Sequence, residues 1–526
     1  MSVYLRKTLC QVNVENGKFS STRDEQAALM ICELNSLHSF LETANVFNQT
    51  PSDILGSKNE KYLHILTVCI KTAPDKWIQA FVEGFNDENT CSLCINSIRA
   101  IAKCAEICNK HDDCDFDTES TKDDHRRVVI VLHLLQTLFR RLISCSNEAD
   151  SVDFNLSVCH VGFFLFLVAI QHVNDREFKN QSLETLANEC VQLIQGHFQC
   201  DSVEMYLLKN IKQCTPVQET EFQSLEKKCI VGKILLLWKP FLCRNKWKKY
   251  PTVCNGLSNI LHVFKFPNIS PFIGLFLPPC LLFLDDYVVN NKEQGLSCLI
   301  HMLRNTGAEE IRWYGRADVI YEALKLQLYS TEETILTKTH EALLLILKVI
   351  VCDAHKIDAK TKYDEIFSMI VQAAYQENKL VLRKVHTEQL SEFIQLMGIN
   401  VVKYMKELLD LIGEYLEIEG TSDERARLNT LHALKALITV AWPRIPAHSV
   451  TILKLLVKFL HHLTSGDCDF KEADTELIHV TSECLKLLCG LDCHRMKECL
   501  NTLCNESFPF STKCREILKQ CEQDLS

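Results

Sequence analysis

The sequence predicts an all-α chain of stacked antiparallel helix pairs, on three observations. Glycine and proline number only 16 and 12 among 526 residues, well below the ~7% and ~5% typical of proteins, which argues against an all-β chain. Apolar residues in the C-terminal half recur in steps of three, four and seven rather than two, the period of a helix with one buried face. Matching positions such as Val402 and Val450 lie about 48 residues apart, close to the roughly 40 to 47 residues of a HEAT or armadillo helix pair. A composition 47% hydrophobic and 24% charged supplies a core for most of the length.

Residues 1–110 read as an N-terminal helical region, 111–125 as an acidic loop, 126–225 as helices continuing the first region, and 226–526 as a C-terminal HEAT-like solenoid. The loop, HDDCDFDTESTKDDH, sets seven carboxylates against Lys122 and reads as solvated. Ala342 to Val351 is apolar nearly all round, as an inner helix between layers would be. Met405, Leu408, Leu409, Ile412 and Leu416 line one helical face. Leu428, Leu431, Leu434, Leu437, Ile438 and Ala441 line another, which should stop at Trp442-Pro443, where the proline ring forbids simple continuation. Ile452, Leu455, Leu456, Phe459, Leu460 and Leu463 make a third. Thr475 to Leu491 makes a fourth, with Gly490 as its expected stop. No unit can bury its stripe alone, so neighbours must stack and leave long outer faces for partners.

The chain carries a net charge of -10, yet Lys227 to Leu284 holds nine Lys or Arg and no Asp or Glu. Such asymmetry can steer an acidic partner, although lysines scattered over outer faces give the same count. Within it, Lys239 to Lys249 (KPFLCRNKWKK) sets Trp247 among five cations. With a pI of about 6.0 and no recognised binding module, nucleic acid is not an expected partner.

The opening MSVYLRKTLCQVNVENGK has no apolar run of export-signal length, so none is expected. Val158 to Ile170 is too short to span a bilayer, and Phe272 to Leu284 is broken by Pro278 and Pro279, so no membrane association is expected. The 27 cysteines lie mostly in helical apolar patterns, where a thiol packs like a small hydrophobe. Reduced, buried cysteines in the cytoplasm are expected rather than a disulfide framework. The triplets at Asn48, Asn155, Asn180, Asn268 and Asn505 are then chance glycosylation matches.

Asp113, Asp115, Asp117 and Asp124 mimic a calcium loop, but Thr118 replaces its glycine and Asp124 its bidentate glutamate. Cys91, Cys94, Cys104, Cys108 and Cys114 could be assembled into a zinc site, yet Cys104 and Cys108 have core spacing and no second C-x-x-C follows. The group Cys484, Cys489, Cys493, His494, Cys499, Cys504, Cys514 and Cys521 is denser and equally helix-periodic. No G-x-S-x-G, phosphate loop or local Cys-His signature is present. A non-enzyme without cofactor or metal is expected.

From Gly232 onward a series of ordered pieces stands out. Leu237, Lys239 and Pro240 precede Trp247, Lys248 and Pro251. Then come Leu277-Pro278, Asp285-Asp286-Tyr287, Asn291-Lys292, Gly295 and the run Cys298 to Met302. Arg316-Ala317, Val319, Tyr321 and Leu328-Tyr329 follow. Beyond them are Leu382-Arg383, Gly398-Ile399, Tyr415-Leu416-Glu417, Glu424, Ala426-Arg427-Leu428 and Trp442-Pro443-Arg444. In this order and spacing the chain resembles the family of the second Tel-two-interacting protein (Tti-two). Its members are HEAT-repeat subunits of the Tel-two/Tti-one/Tti-two co-chaperone complex.

The resemblance implies a non-catalytic scaffold whose partners are Tti-one-like and Tel-two-like subunits. Through the Hsp-ninety chaperone and R-two-TP, it would support assembly and stability of phosphatidylinositol-3-kinase-related kinases in DNA-damage and nutrient signalling. The expected location is the cytoplasm, with the nucleus as a second compartment. In the matching region, Asp285 and Asp286 read as helix N-caps, with partner contact as the alternative. Lys292, Arg316, Arg383 and Arg444 are candidates to bridge repeats or meet a partner. Gly295 and Pro443 read as structural, and Trp442 as a core residue between repeats. The competing readings are a HEAT-type scaffold or transport adaptor for other partners, and a zinc- or thiol-dependent enzyme.

Overall fold

The computed structural model describes residues 88–107, 118–146, 152–174, 180–210, 229–350, 361–417, 424–464, 472–505 and 510–523, with scattered positions from Leu63 to Val82. Helices dominate these residues, and the one β-type pairing among them is an isolated bridge between Asn210 and Cys229. The all-α expectation is met. Contacts divide the chain into Met1–Pro279 and Cys280–Ser526, whereas the sequence reading places its main boundary at 225/226.

The first unit holds α1 (Glu88–Lys103), α2 (Thr118–Ser146), α3 (Val152–Ala169), α4 (Gln181–His197), α5 (Val203–Leu208), α6 (Ile230–Trp238) and α7 (Pro251–Val263), and begins α8 (Ile273–Leu284). Val128, Val131, Leu132, Leu135, Phe139 and Leu142 of α2 are buried at helical spacing, and α2 packs on α3 and α4. Because α3 lies among α1, α2 and α4, Val158 to Ala169 can be apolar without a polar stripe. Asn180 Oδ1 caps α4 by accepting the Leu183 N–H at 3.2 Å, and Ser202 Oγ caps α5 through the Met205 N–H at 3.2 Å.

Three sequence expectations change here. The acidic loop is shorter than read: Thr118 to His125 open α2, while 111–117 lie outside the described residues. Carboxylates favour the positive end of a helix, and Asp124 pairs with Arg127 one turn on at 2.8 Å, so these charges start a helix. Second, Asp123–Cys145 is long and apolar enough to cross a membrane, which the sequence reading overlooked; 61% of its most apolar window is buried in the fold. Third, α8 continues through Pro278 and Pro279. The two missing backbone donors are outweighed by burial of Phe272, Phe276, Cys280 and Phe283, all fully enclosed, at about 1.5–3 kcal/mol for a large apolar side chain.

The second unit continues with α9 (Val289–Arg304), α10 (Ala308–Arg312), α11 (Arg316–Gln327), α12 (Glu333–Ile350), α13 (Lys362–Gln376), α14 (Leu380–Glu388), α15 (Leu390–Met397), α16 (Met405–Glu417), α17 (Arg425–Val440), α18 (Ile445–Thr464), α19 (Glu472–Leu491), α20 (Cys493–Asn505) and α21 (Thr512–Gln523). One layer stacks α9, α12, α14 with α15, α17 and α19 in that order. The other holds α11, α13, α16, α18 and α21, each of the first four packed on its partner in the first layer. This is the HEAT-like arrangement expected from the helical period.

The named stripes are buried for the most part, with Leu428, Leu455 and Leu463 half-buried. Met405, Leu408, Leu409, Ile412 and Leu416 face inward from α16, and Leu431, Leu434, Leu437 and Ile438 do so from α17. α17 stops at Val440, ahead of Trp442-Pro443. Thr361 and Asp364 form a reciprocal capping box that starts α13. Register between neighbouring helices of the same layer is held by polar contacts at the helix surfaces. Lys338 reaches Glu293 at 3.3 Å, Lys435 reaches Glu483 at 3.1 Å, and Lys458 reaches Glu417 at 2.7 Å. Exposed pairs of this kind contribute only about 0–1 kcal/mol each, so the apolar seams supply the stability.

Candidate interaction surfaces

Most of the residues singled out from the sequence lie in the second unit. At its start, α9 crosses α8 at Gly295, where an added Cβ would stand 2.7 Å from the Leu284 backbone nitrogen and 3.0 Å from the Cys280 carbonyl oxygen. Asp286 is not the N-cap of α9. That position is Val288, which makes no side-chain capping bond. The buried Asp286 carboxylate instead accepts the Tyr287 N–H at 2.9 Å and Asn291 Nδ2 at 2.6 Å, tying the turn to the first turn of α9. The N-cap expectation is thereby corrected, because Asn291 reaches back to the carboxylate two residues before the cap. Asp285 is exposed. Lys292 Nζ donates to Gln327 Oε1 at 3.1 Å and joins α9 to α11.

Arg383 is the most enclosed of the candidate cations. From α14 its Nε donates to the Glu377 carbonyl at 2.7 Å and its NH2 group to Glu414 Oε1 at 2.8 Å, while the guanidinium lies 4.8 Å from the Tyr415 ring centroid. One side chain thus ties the α13–α14 turn to α16. Tyr415 adds a second tie, its hydroxyl donating to the Ala374 carbonyl at 2.6 Å. Arg316 packs over Tyr314 at 5.1 Å and donates to the Glu310 carbonyl at 3.4 Å. Arg444 is exposed in the turn before α18.

Trp442 is 60% exposed, contrary to the core role read from the sequence. Ala441 occupies the buried C-cap of α17, so the next residue points away from the core, and Pro443 keeps the chain turning toward α18. Trp442→Ala is therefore expected to change stability by less than about 0.5 kcal/mol. A thermal melt superimposable on that of the parent chain is the expected result. Trp313 and Tyr314 are also exposed, and Tyr314 is held at φ 59° beside Gly315 at φ 69°. These residues occupy turns that lead from the first layer to the second. On the opposite edge, where the first-layer helices α9, α12 and α14 begin, Tyr287, Tyr329 and Tyr375 are exposed, with Leu326, Leu380 and Val381 beside them. Sequence reasoning missed this edge, because an apolar residue in a turn or at a helix end, off the buried face, belongs to no core stripe.

The first unit offers less for recognition. Trp247 is buried, with Lys248 over its ring at 5.6 Å, so its face is not open for stacking a base. A cavity of about 550 Å³ is lined by His64, His125, Arg126, His133, Asn180 and Ser182 among others. Its described lining contains no cysteine. Cys104 and Cys484 are buried, and burial pushes both thiols up to about 12. Cys514 rises to about 11 for the same reason. Such thiols are protonated core groups rather than nucleophiles. The side chains of Cys91, Cys94, Cys108, Cys114, Cys521, Asp113, Asp115 and Asp117 lie outside the described residues. Among those described, no three His, Cys, Asp or Glu side chains converge as metal ligands.

Buried imidazoles make stability depend on pH. His340 lies 5.6 Å from the His386 ring and 6.0 Å from Phe393, and burial, reinforced by His386, pushes its pKa down to about 3. Since the unfolded side chain titrates near 6.5, the contribution of a neutral buried His340 is complete above pH 6.5 and is lost as pH falls below it. At pH 5.5 the loss is about 1 kcal/mol. His340→Asn should flatten the fall in unfolding free energy between pH 6.5 and 5.0, measured by denaturant titration at each pH.

Residues 241–418 match the model of the Tti2 family. TELO2-interacting protein 2 of Rattus norvegicus is 31% identical over 290 residues, covering 54% of this chain and 56% of that protein. The match therefore spans little more than half of the rat relative. The Homo sapiens protein of the same name is 26% identical over 360 residues, covering 68% of each. Among solved structures, yeast importin-β (Kap95p) has a TM-score of 0.44 at 12% identity, over 88% of this chain and 54% of that one. Kap121p has a TM-score of 0.43 at 12% identity, over 94% and 45%. Together with the ordered pieces read from the sequence, the family match and the relatives show a resemblance to the Tti2 family, whose model residues 241–418 match.

Proposed function

We propose that this chain is a non-catalytic scaffold of a co-chaperone complex, binding Tel-two-like and Tti-one-like subunits. With the Hsp-ninety system and R-two-TP, that complex would assist assembly and stability of phosphatidylinositol-3-kinase-related kinases. The observation that carries this reading is the Tti2-family match, which coincides with stacked helix layers whose turns expose large aromatic side chains. The relatives' name, TELO2-interacting protein 2, speaks for a Tel-two-like partner. Stacked helices suit the task, because they offer extended faces to other large proteins. The proposed location is the cytoplasm and nucleus.

Affinity purification of the full chain from cells, with mass spectrometry, tests the reading. Two helical co-chaperone subunits and kinases of the named class are the expected companions. Ran-family GTPases or phosphatase subunits in their place would overturn it in favour of a transport or phosphatase scaffold. A purified chain holding stoichiometric zinc and a reactive thiol would point instead to an enzyme.

A further inference from the structure

Three successive helix junctions on one edge of the second unit expose a tyrosine each, one helix pair apart: Tyr287 at 68% and Tyr329 at 76% in turns, and Tyr375 at 55% in the last turn of α13. Leu326, Leu380 and Val381 widen the apolar strip beside them. The topology puts these junctions on the same side, since each leads into the start of a first-layer helix, α9, α12 or α14. The charge of the strip is one-sided: Asp285, Glu332 and Glu333 are exposed there without an ion pair among the described residues, against Lys379 as the exposed cation of the turn before α14.

We propose that this edge docks a basic amphipathic helix of a partner protein, an inference that rests on the scaffold reading above. Stacked helices stand about 8–10 Å apart, and seven residues of helix rise about 10.5 Å. A helix with one apolar residue per heptad therefore meets the tyrosines in register, one after another. Lysines or arginines flanking that stripe meet the carboxylates, and an arginine over a tyrosine face adds a cation–π contact. Tyrosine is a favoured anchor in such contacts, because it covers a large area with little rotamer entropy to lose.

The test uses two synthetic helices of about 21 residues with the same leucine heptads, one flanked by lysine and the other by glutamate. Fluorescence anisotropy against the full chain should give at least about tenfold tighter binding for the lysine peptide. Y329A with Y375A should weaken that binding about tenfold. E332K with E333K should reverse the preference. All four positions are exposed, so melts matching the parent chain will show the fold intact. Equal affinity for both peptides, or no effect of either double variant, overturns the proposal. The same variants in affinity purification separate this inference from the scaffold reading. If the parent chain brings down no co-chaperone subunits, the scaffold reading fails while the peptides still judge the edge. If parent and variants bring them down equally, the edge proposal fails and the scaffold reading stands.

Discussion

Gly295→Ala should destabilise the chain by about 2–3 kcal/mol, the range of overpacking in a closed site. An alanine in a helix interior ordinarily gains about 1 kcal/mol over glycine, so the sign depends on what the new methyl meets. At Gly295 it meets backbone on both counts, the Leu284 nitrogen at 2.7 Å and the Cys280 carbonyl at 3.0 Å. Backbone cannot rotate aside as the end of a side chain can, so α8 and α9 must separate and the packing of Cys280, Phe283, Leu284 and Leu296, all buried, must loosen. Gly490→Ala in α19 is the matched control. Its new Cβ touches nothing within 4 Å, and its stability should be unchanged or slightly raised. Denaturant melts of the full chain compare the two. A Gly295→Ala chain as stable as the parent would show that the helix crossing is looser than described.

The second large effect is expected at Arg383, where truncation to alanine should cost about 2–4 kcal/mol. Arg383 is 8% exposed, and its guanidinium satisfies a carbonyl, a carboxylate and a ring face at once. Glu414 is half-exposed, so the ion pair accounts for the smaller part of that loss and Glu414→Ala alone should cost less than about 1 kcal/mol. The larger part comes from the Glu377 carbonyl left without its donor and the lost packing on Tyr415. Lysine carries one ammonium in place of a planar fork and cannot serve both acceptors, so Arg383→Lys should recover less than half of the loss. Recovery to parental stability by lysine would reduce Arg383 to a simple charge.

Burial was legible wherever it follows a helical period. The stripe of α16 could be read residue by residue, and those of α17 and α18 at most positions, with Leu428, Leu455 and Leu463 half-buried, because a stacked helix buries one face. The sequence was a poorer guide where an element starts, turns or stops. Trp442 reads as core by residue type, yet its place one position beyond a C-cap turns it outward. Pro278 and Pro279 read as breakers, yet enclosed aromatic packing holds α8 through them. Thr118 to His125 read as loop from their charge, although carboxylates at that end favour a helix. Arg383 could be named as a candidate, but its three partners lie on other elements, and no local spacing reveals them. The exposed tyrosines are invisible for the opposite reason: each is an ordinary residue of a turn or helix end until the stacking of pairs aligns them.

The scaffold account is tested most directly by depleting the chain from cells and following the phosphatidylinositol-3-kinase-related kinases. The account predicts that newly made kinase falls several-fold at unchanged messenger level, and that re-expressing the intact chain restores it. Kinase protein that stays at its starting level after complete depletion would contradict it.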